Sequence, residues 1–419
     1  MTSRRDFLKV GGLSLASLGF AKNVFSQAGG GTSAKLENLA AGVKPLAPED
    51  YEARLEKARG LMAANKMDGL FLTGSTNLVY FTTVGWGTSE RTFGALINRQ
   101  GSTVWVCPAF ELERAKELIP PGRQIRVWEE HESPYKLIAG IMKDIGAGTG
   151  RLGIGPSTSA FVYFGIRQDA PGLELVDGAM ITEKCRGTKT EKEIAYMDLA
   201  NKITKLAYRE AFKQLREGMS RRDLSGLISA AHSQMGASGG GGPQFGAATA
   251  FPHGSRFPRA LEEGDAIVVD GGCGIQGYRS DVTRTIVFGK PSDKQRTVWD
   301  IVKKAQAAAL KAARPGVKCE DVDAAARKVV EDAGYGPGYK YFAHRVGHGI
   351  GLEGHEYPYL VKGNTLKLEP GMTFSNEPGI YIYGEFGVRT EDCMVVTKDG
   401  ARVLGGLEAV SIEQPFADQ

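Results

Sequence analysis

Cysteine is scarce: five residues in 419, at positions 107, 185, 273, 319 and 393, with no CxxC pair. That excludes a zinc ribbon and a dithiol redox motif. A chain of this size does not need a disulfide scaffold, though the sequence leaves one disulfide open. An excess of one charge is missing as well. Lys and Arg total 52 against 48 Asp and Glu, a formal net charge of +4. This is too little to imply a nucleic-acid partner or an obligately acidic substrate. The apolar stretch at 10–21 is broken by glycine and too short for stable membrane insertion. Glycine is abundant, 56 residues, but follows no three-residue period, so collagen is excluded. What remains is ordinary globular composition, 42% apolar and 24% charged, which rules out wholesale disorder. The length suggests two or three domains, one large enough for a substantial core.

Along the chain, 51–66 reads as a helix and 69–73 as a strand, with a short local element at 77–81. Residues 95–97 and 103–106 form a strand pair. A helix at 109–118 is stopped by Pro120-Pro121-Gly122, and 124–128, 135–145 and 151–154 read strand, helix, strand. This alternation predicts a small α/β domain. Residues 171–190 look like a linker. Helices follow at 191–214 and 221–234, the second capped by Ser220, and the glycine-rich 236–242 reads as a flexible loop. From about 245 the pattern turns to strands, interrupted by helices at 294–313 and 322–333, so the second domain reads as α+β with an antiparallel sheet. No Walker loop occurs. The spacing GxGxxG occurs at Gly148 to Gly153, but it follows a helix and enters a strand, the reverse of a dinucleotide loop, and reads as a plain turn.

The first 30 residues place Ser3-Arg4-Arg5-Asp6-Phe7-Leu8-Lys9 before the apolar stretch, with small residues around 26–30. This resembles a twin-arginine export signal cleaved near 25–29 and implies a periplasmic protein. Substrates of that pathway usually cross folded, so a metal acquired in the cytoplasm is expected. The alternative is a basic start with a short amphipathic helix. A loose arm, 31–48, follows.

The chemistry concentrates in the second half. Asp270 ends the apolar strand 266–270, residues 271–277 read as a glycine-rich turn, and Asp281 lies on a strand over 278–288. Across such a hairpin the two carboxylates would meet and repel, and a divalent cation is the natural remedy. Either alone reads as an ordinary carboxylate. His344, His348 and His355 fall within fourteen residues of glycine-rich sequence, which argues against a helix and against HExxH; the glycines suit a backbone that approaches a site closely. Glu377 ends the strand 372–376 before Pro378-Gly379, and Glu391 lies on a strand over 387–397. Carboxylates with one imidazole favour Mn²⁺, Zn²⁺ or Co²⁺. Divalent cations there would lower the pKa of water and favour attack on a carbonyl.

These residues sit in Asp270-Gly271-Gly272, Ser280-Asp281-Val282-Thr283-Arg284-Thr285, Gly347-His348-Gly349-Ile350-Gly351-Leu352, Glu377-Pro378-Gly379 and Arg389-Thr390-Glu391-Asp392. Over roughly 45–415 the chain resembles the creatinase / aminopeptidase P / prolidase ("pita-bread") metallopeptidases. The resemblance implies an α+β pita-bread catalytic domain over 181–419 and a smaller α/β creatinase-like domain over 49–180. It implies two divalent metal ions per subunit, Mn²⁺ foremost. His348 and Glu377 would serve one ion and Asp270 the other, with Asp281 and Glu391 bridging. His253, His344 and His355 would contact substrate, Arg389 would support a ligand carboxylate, and Glu377 would shuttle a proton.

The resemblance implies hydrolysis of the Xaa-Pro bond in small peptides with proline at the second position, and a homodimer, since the family commonly dimerises. All five ligand types are present, which argues against the metal-free creatinase branch and against a non-catalytic binding protein on the same fold. Some prolidases place an Arg soon after His-Glu-x-Pro to hold a dipeptide carboxylate. Here Tyr359 follows His355-Glu356-Tyr357-Pro358. That departure favours aminopeptidase P over Xaa-Pro dipeptidase, with Lys362 or another basic residue as a possible substitute.

Overall fold

Gly69–Thr73 is buried at every residue, because it lies inside a six-stranded mixed sheet with helices on both faces. The structure is a computed structural model that describes residues 36–257 and 259–417. The export-signal reading of 1–30 and the start of the 31–48 arm lie outside the described residues. Across the sheet the strands run Gln124–Trp128, Thr103–Pro108, Gly94–Asn98, Gly69–Thr73, Arg151–Ile154, Glu174–Asp177. Alternation along Gly69–Thr73 sends Leu70 and Leu72 to one side, against Leu55, Ala58 and Met62 of helix Pro48–Ala64. Phe71 points the other way, to Ile138 and Ile141 of helix Pro134–Asp144. Ser133 caps that helix, and its Oγ accepts from the amides of Tyr135 and Lys136.

The predicted linker is structured. Within 171–190 the chain forms the edge strand Glu174–Asp177 and helix Ala179–Gly187. The strand is half exposed and so lacks the apolar run that marks its neighbours. All five cysteines are free and buried, so no disulfide forms.

The second half is α+β, as expected. Thr190 and Ser220 cap the helices Glu191–Phe212 and Arg221–Gln234, each in a reciprocal box with an acid three residues on. Helices Asp293–Ala312 and Cys319–Asp332 pack on the strands through Trp299, Val302, Val322, Phe374 and Met394. The strands form small antiparallel sheets. One holds Val282–Val287, Ala266–Gly271 and Gly242–Phe245; another runs Glu356–Leu360, Gly347–Gly349, Thr373–Asn376, Asp392–Val396, Ala401–Val403; Gly379–Ile382 pairs with Phe386–Arg389. Among the described residues no helix is long and apolar enough to cross a membrane.

Four expectations need correction here. The 236–242 run is not a free loop: Ser238 and Gly239 pair with Gly274 and Cys273, and Gly242 pairs with Asp270. Its glycines are there for contact, since a Cβ on Gly239 would lie 2.5 Å from that of Cys273. The 271–277 turn contains the strand Cys273–Ile275, and the strand predicted over 278–288 breaks into Tyr278–Arg279 and Val282–Val287, with Asp281 in the break. The strand predicted over 387–397 likewise breaks, between Phe386–Arg389 and Asp392–Val396, and Glu391 occupies the gap.

The first break depends on Gly272. A Cβ there would stand 2.0 Å from the Ser280 carbonyl oxygen, a backbone atom that cannot move aside cheaply. Gly272→Ala is therefore expected to destabilise by about 1–3 kcal/mol, read as a lower urea midpoint; an unchanged midpoint would show that the two segments separate freely.

Candidate metal centre

The ligands gather where strands leave one sheet for another. Thr283 is the hub. It lies across the ladder from Asp270, so Asp281, two residues back, is the diagonal neighbour of Asp270 on the same face. Thr283 also bridges to Glu391, whose amide donates to the Thr283 carbonyl at 3.0 Å. The other sheet supplies the rest. Thr373–Asn376 pairs with Gly347–Gly349 on one side and with Asp392–Val396 on the other, which sets Glu377 between His348 and Glu391. Glycines flank His348 because a Cβ on Gly347 would lie 2.1 Å from the Ser375 carbonyl oxygen and one on Gly349 2.5 Å from that of Glu356.

Three overlapping groups offer ligand atoms within 4.8 Å of one another: Asp270, Asp281 and Glu391; His348, Glu377 and Glu391; Asp281, His348 and His355. Asp281 and Glu391 are the carboxylates common to two groups. All five expected ligands thus converge, and His355 joins them with its ring stacked on His348 at 3.6 Å between centroids.

The donor set fits divalent cations. Burial, then the neighbouring carboxylates Asp270 and Glu377, pushes Asp281 well above its ordinary value. Burial, then Asp281, Glu377 and Asp270, does the same to Glu391. His348 Nδ1 faces the Gly349 carbonyl oxygen at 3.1 Å, which can only accept, so Nδ1 carries a proton. Its Nε2 then points at Glu377 Oε1, 3.2 Å away, and Asp281 Oδ2, 3.9 Å away. A proton or a cation has to sit between them. With a proton there Glu377, which burial alone would push up, is drawn down to about 2 by His348, His344 and Arg389. With a cation, Nε2 is a ligand whose other nitrogen is already oriented. The five side chains make a dinuclear metal-binding site.

The supporting shell is polar and mostly buried. Arg389 donates from Nη2 to Asp270 Oδ2 at 2.7 Å, from Nε to Thr283 Oγ1 at 3.1 Å, and from Nη1 to the Pro252 carbonyl and the Tyr381 hydroxyl oxygen. Thr283 Oγ1 donates to Glu391 Oε2 at 2.6 Å. Ser375 Oγ donates to Glu377 Oε1, and the Asp281 amide donates to Cys393 Sγ. His344 Nδ1 donates to the Arg345 carbonyl, so its Nε2 accepts the Tyr381 hydroxyl at 2.7 Å; burial lowers its pKa. His253 is exposed in the turn after Pro252, whose carbonyl accepts from Arg389, but it is in none of the ligand groups. Thr283, Ser375 and Cys393 carry no signal as single residues; each was one more polar or small position in a strand.

Residues 195–398 match the model of Metallopeptidase family M24, and 54–187 match the Creatinase/Prolidase N-terminal domain. An Xaa-Pro dipeptidase from Lactobacillus helveticus is 34% identical over 84% of this chain and 96% of its own. The chain belongs to the M24 metallopeptidase family. The dipeptidase PepE of Mycobacterium ulcerans superposes on this M24 chain with a TM-score of 0.80, at 33% identity over 87% of this chain and 97% of the other. The X-Pro aminopeptidase of Thermotoga maritima gives 0.69 at 27% identity, covering 84% and 98%. The N-terminal creatinase-like domain and the pita-bread catalytic domain are both present.

Proposed function

We propose that this M24 chain is an Xaa-Pro dipeptidase that hydrolyses short peptides with proline in second place. The observation that carries the reading is the convergence of Asp270, Asp281, His348, Glu377 and Glu391 into overlapping ligand groups. The dipeptidase branch is supported by relatives named Xaa-Pro dipeptidase at 32–34% identity and a probable dipeptidase at 35%. This reverses the preference for aminopeptidase P drawn from Tyr359, because one missing arginine does not exclude a cation supplied from elsewhere.

The five side chains would hold two cations, Asp281 and Glu391 shared; four carboxylates and one imidazole favour Mn²⁺ over Zn²⁺ or Co²⁺. When bound, such ions lower the pKa of water and polarise a carbonyl. Glu377 would pass a proton from water to the departing proline nitrogen. His344 and His355 would steady the substrate carbonyl, with His253 closing the pocket, and Arg389 would position Asp270. We also propose a homodimer, exported to the periplasm, on the family resemblance and the Arg4-Arg5 segment alone.

A peptide panel tests the branch. The expected result is kcat/KM at least about tenfold higher for Xaa-Pro than for Xaa-Pro-Xaa, since a site that binds a carboxylate leaves charge unpaired when the chain continues. A preference for the longer peptides would return the chain to the aminopeptidases.

A further inference from the structure

The N-terminal domain contains a cavity that the metal centre does not use. It lies between helix Pro48–Ala64, helix Thr76–Thr82 and strand Thr103–Pro108, and its volume is about 300 Å³. That is the lower end of the range for small-molecule sites. The residues that line it all fall between Leu46 and Arg123, so no metal ligand and no residue of the catalytic domain takes part.

The sheet register explains its floor. Ile97 lies opposite both Leu70 and Thr103, and Ala95 opposite both Leu72 and Trp105. Thr103 and Trp105 therefore stand on the face that helix Pro48–Ala64 covers. Over these two residues the helix leaves a space, walled by the rings of Tyr51 and Phe81, by Leu55, and by Pro48 and Pro120. Trp105 is 1% exposed and Thr103 6%. Among the described residues neither Trp105 Nε1 nor Thr103 Oγ1 has a hydrogen-bond partner. Buried polar groups are rarely left so. Two other polar groups around the cavity are satisfied: Thr82 Oγ1 donates to the Leu78 carbonyl at 2.6 Å, and Arg123 pairs with Glu52 at the mouth. Thr83, on the wall, holds a φ of +68°, which a β-branched residue rarely adopts. Such strain gathers at ligand sites.

These features define the occupant. An indole N–H can only donate and a threonine hydroxyl can donate, so the partner they call for is an acceptor. The flat apolar walls suit a ring. Arg123 and Glu52 neutralise each other, so nothing at the entrance selects for charge. We infer that this cavity is a second ligand site, which binds a small neutral aromatic molecule whose carbonyl oxygen accepts from Trp105 and Thr103. A carbonyl has two lone pairs and can serve both donors.

The test titrates acetophenone, a ring with one carbonyl, into the metal-loaded full chain by calorimetry. Cumene is the control of similar shape without the acceptor. Acetophenone should bind the wild type with a Kd below about 1 mM, as expected of a ligand of this size in a mostly apolar cavity. Cumene should bind at least about fivefold more weakly, and so should acetophenone to Thr103→Val or Trp105→Phe, because each leaves a hydrogen bond unmade. The Trp105 indole N–H resonance, identified among the four tryptophans by its loss in Trp105→Phe, should move as the site fills. Chelated enzyme should bind as the loaded enzyme does. Thr103→Val should keep or raise the urea midpoint, since it removes a hydroxyl that has no partner. Absence of binding, equal affinity for cumene, a Trp105 resonance that stays still, or affinity that vanishes with the metal overturns the assignment. A lower midpoint in Thr103→Val does the same, because the hydroxyl would then have a partner within the protein. If Trp105→Phe does not fold, Thr103→Val decides: wild-type affinity for acetophenone in that variant rejects the site.

Discussion

Asp281→Asn is expected to lose turnover and metal together. The substitution keeps the shape of the side chain and removes its charge from two of the three ligand groups. Partners that merely orient a ligand are worth 10–100-fold, so loss of a shared ligand should cost at least about a thousandfold in kcat. Elemental analysis should fall from two ions per chain to fewer than one. A variant that keeps both ions and turns over within tenfold of the wild type would mean that Asp281 is not a ligand.

The same substitution should not harm the metal-free protein. Asp281 has its folded-state pKa raised by burial, Asp270 and Glu377, and Glu391 by burial, Asp281, Glu377 and Asp270. A raised folded value means the native state holds its protons more tightly than the unfolded chain. The stability this gives is present below the ordinary carboxylate pKa of about 4 and is lost as pH rises through the raised values. The chelated wild type should thus gain stability on acidification from neutrality, and chelated Asp281→Asn should match or exceed it at pH 7. The loaded enzyme should show the opposite slope, because protons compete with metal for the same oxygens.

The ligands were legible because their chemistry restricts the residue type: repelling carboxylates near glycine-flanked histidines call for cations. Their placement was not. Asp281 and Glu391 each sit in a gap between strands of different sheets, and the local sequence runs through both gaps with strand-like residues on either side. Tyr278 to Phe288 therefore reads as one element although its hydrogen bonds change partners at Ser280 and Asp281. The glycines at 236–242 mislead for the converse reason, since a residue without a side chain signals freedom locally but close packing globally, as Gly239 does against Cys273. The edge strand Glu174–Asp177 is exposed at both ends and carries too few apolar residues to be seen.

Asp392→Asn is expected to cause the largest loss of stability. Asp392 is 1% exposed and pairs with Lys205 at 2.7 Å and Arg284 at 2.8 Å, while Gln306 donates to its other oxygen at 3.2 Å. Burial raises its pKa, but Arg284 and Lys205 more than offset that and hold it below the usual carboxylate range. Lys205 shows the cost from the other side: burial outweighs Asp392 and lowers the ammonium pKa. The amide would leave two buried cations facing each other without an anion, a loss of about 3–5 kcal/mol. Here the linkage runs opposite to that at Asp281. A depressed carboxylate contributes stability above its unfolded pKa and loses it as pH falls through the folded value, so the gap between wild type and variant should be widest near neutrality and close below about pH 4. The damage should also reach the site. Arg284 Nη1 donates to the Glu391 carbonyl at 2.8 Å, so an unpaired Arg284 loosens the backbone of a shared ligand, and metal affinity should fall with the urea midpoint. Lys205→Met should cost less, because Asp392 keeps Arg284. A midpoint for Asp392→Asn equal to the wild type, with both ions retained, would show that the buried charges behind Glu391 are inert.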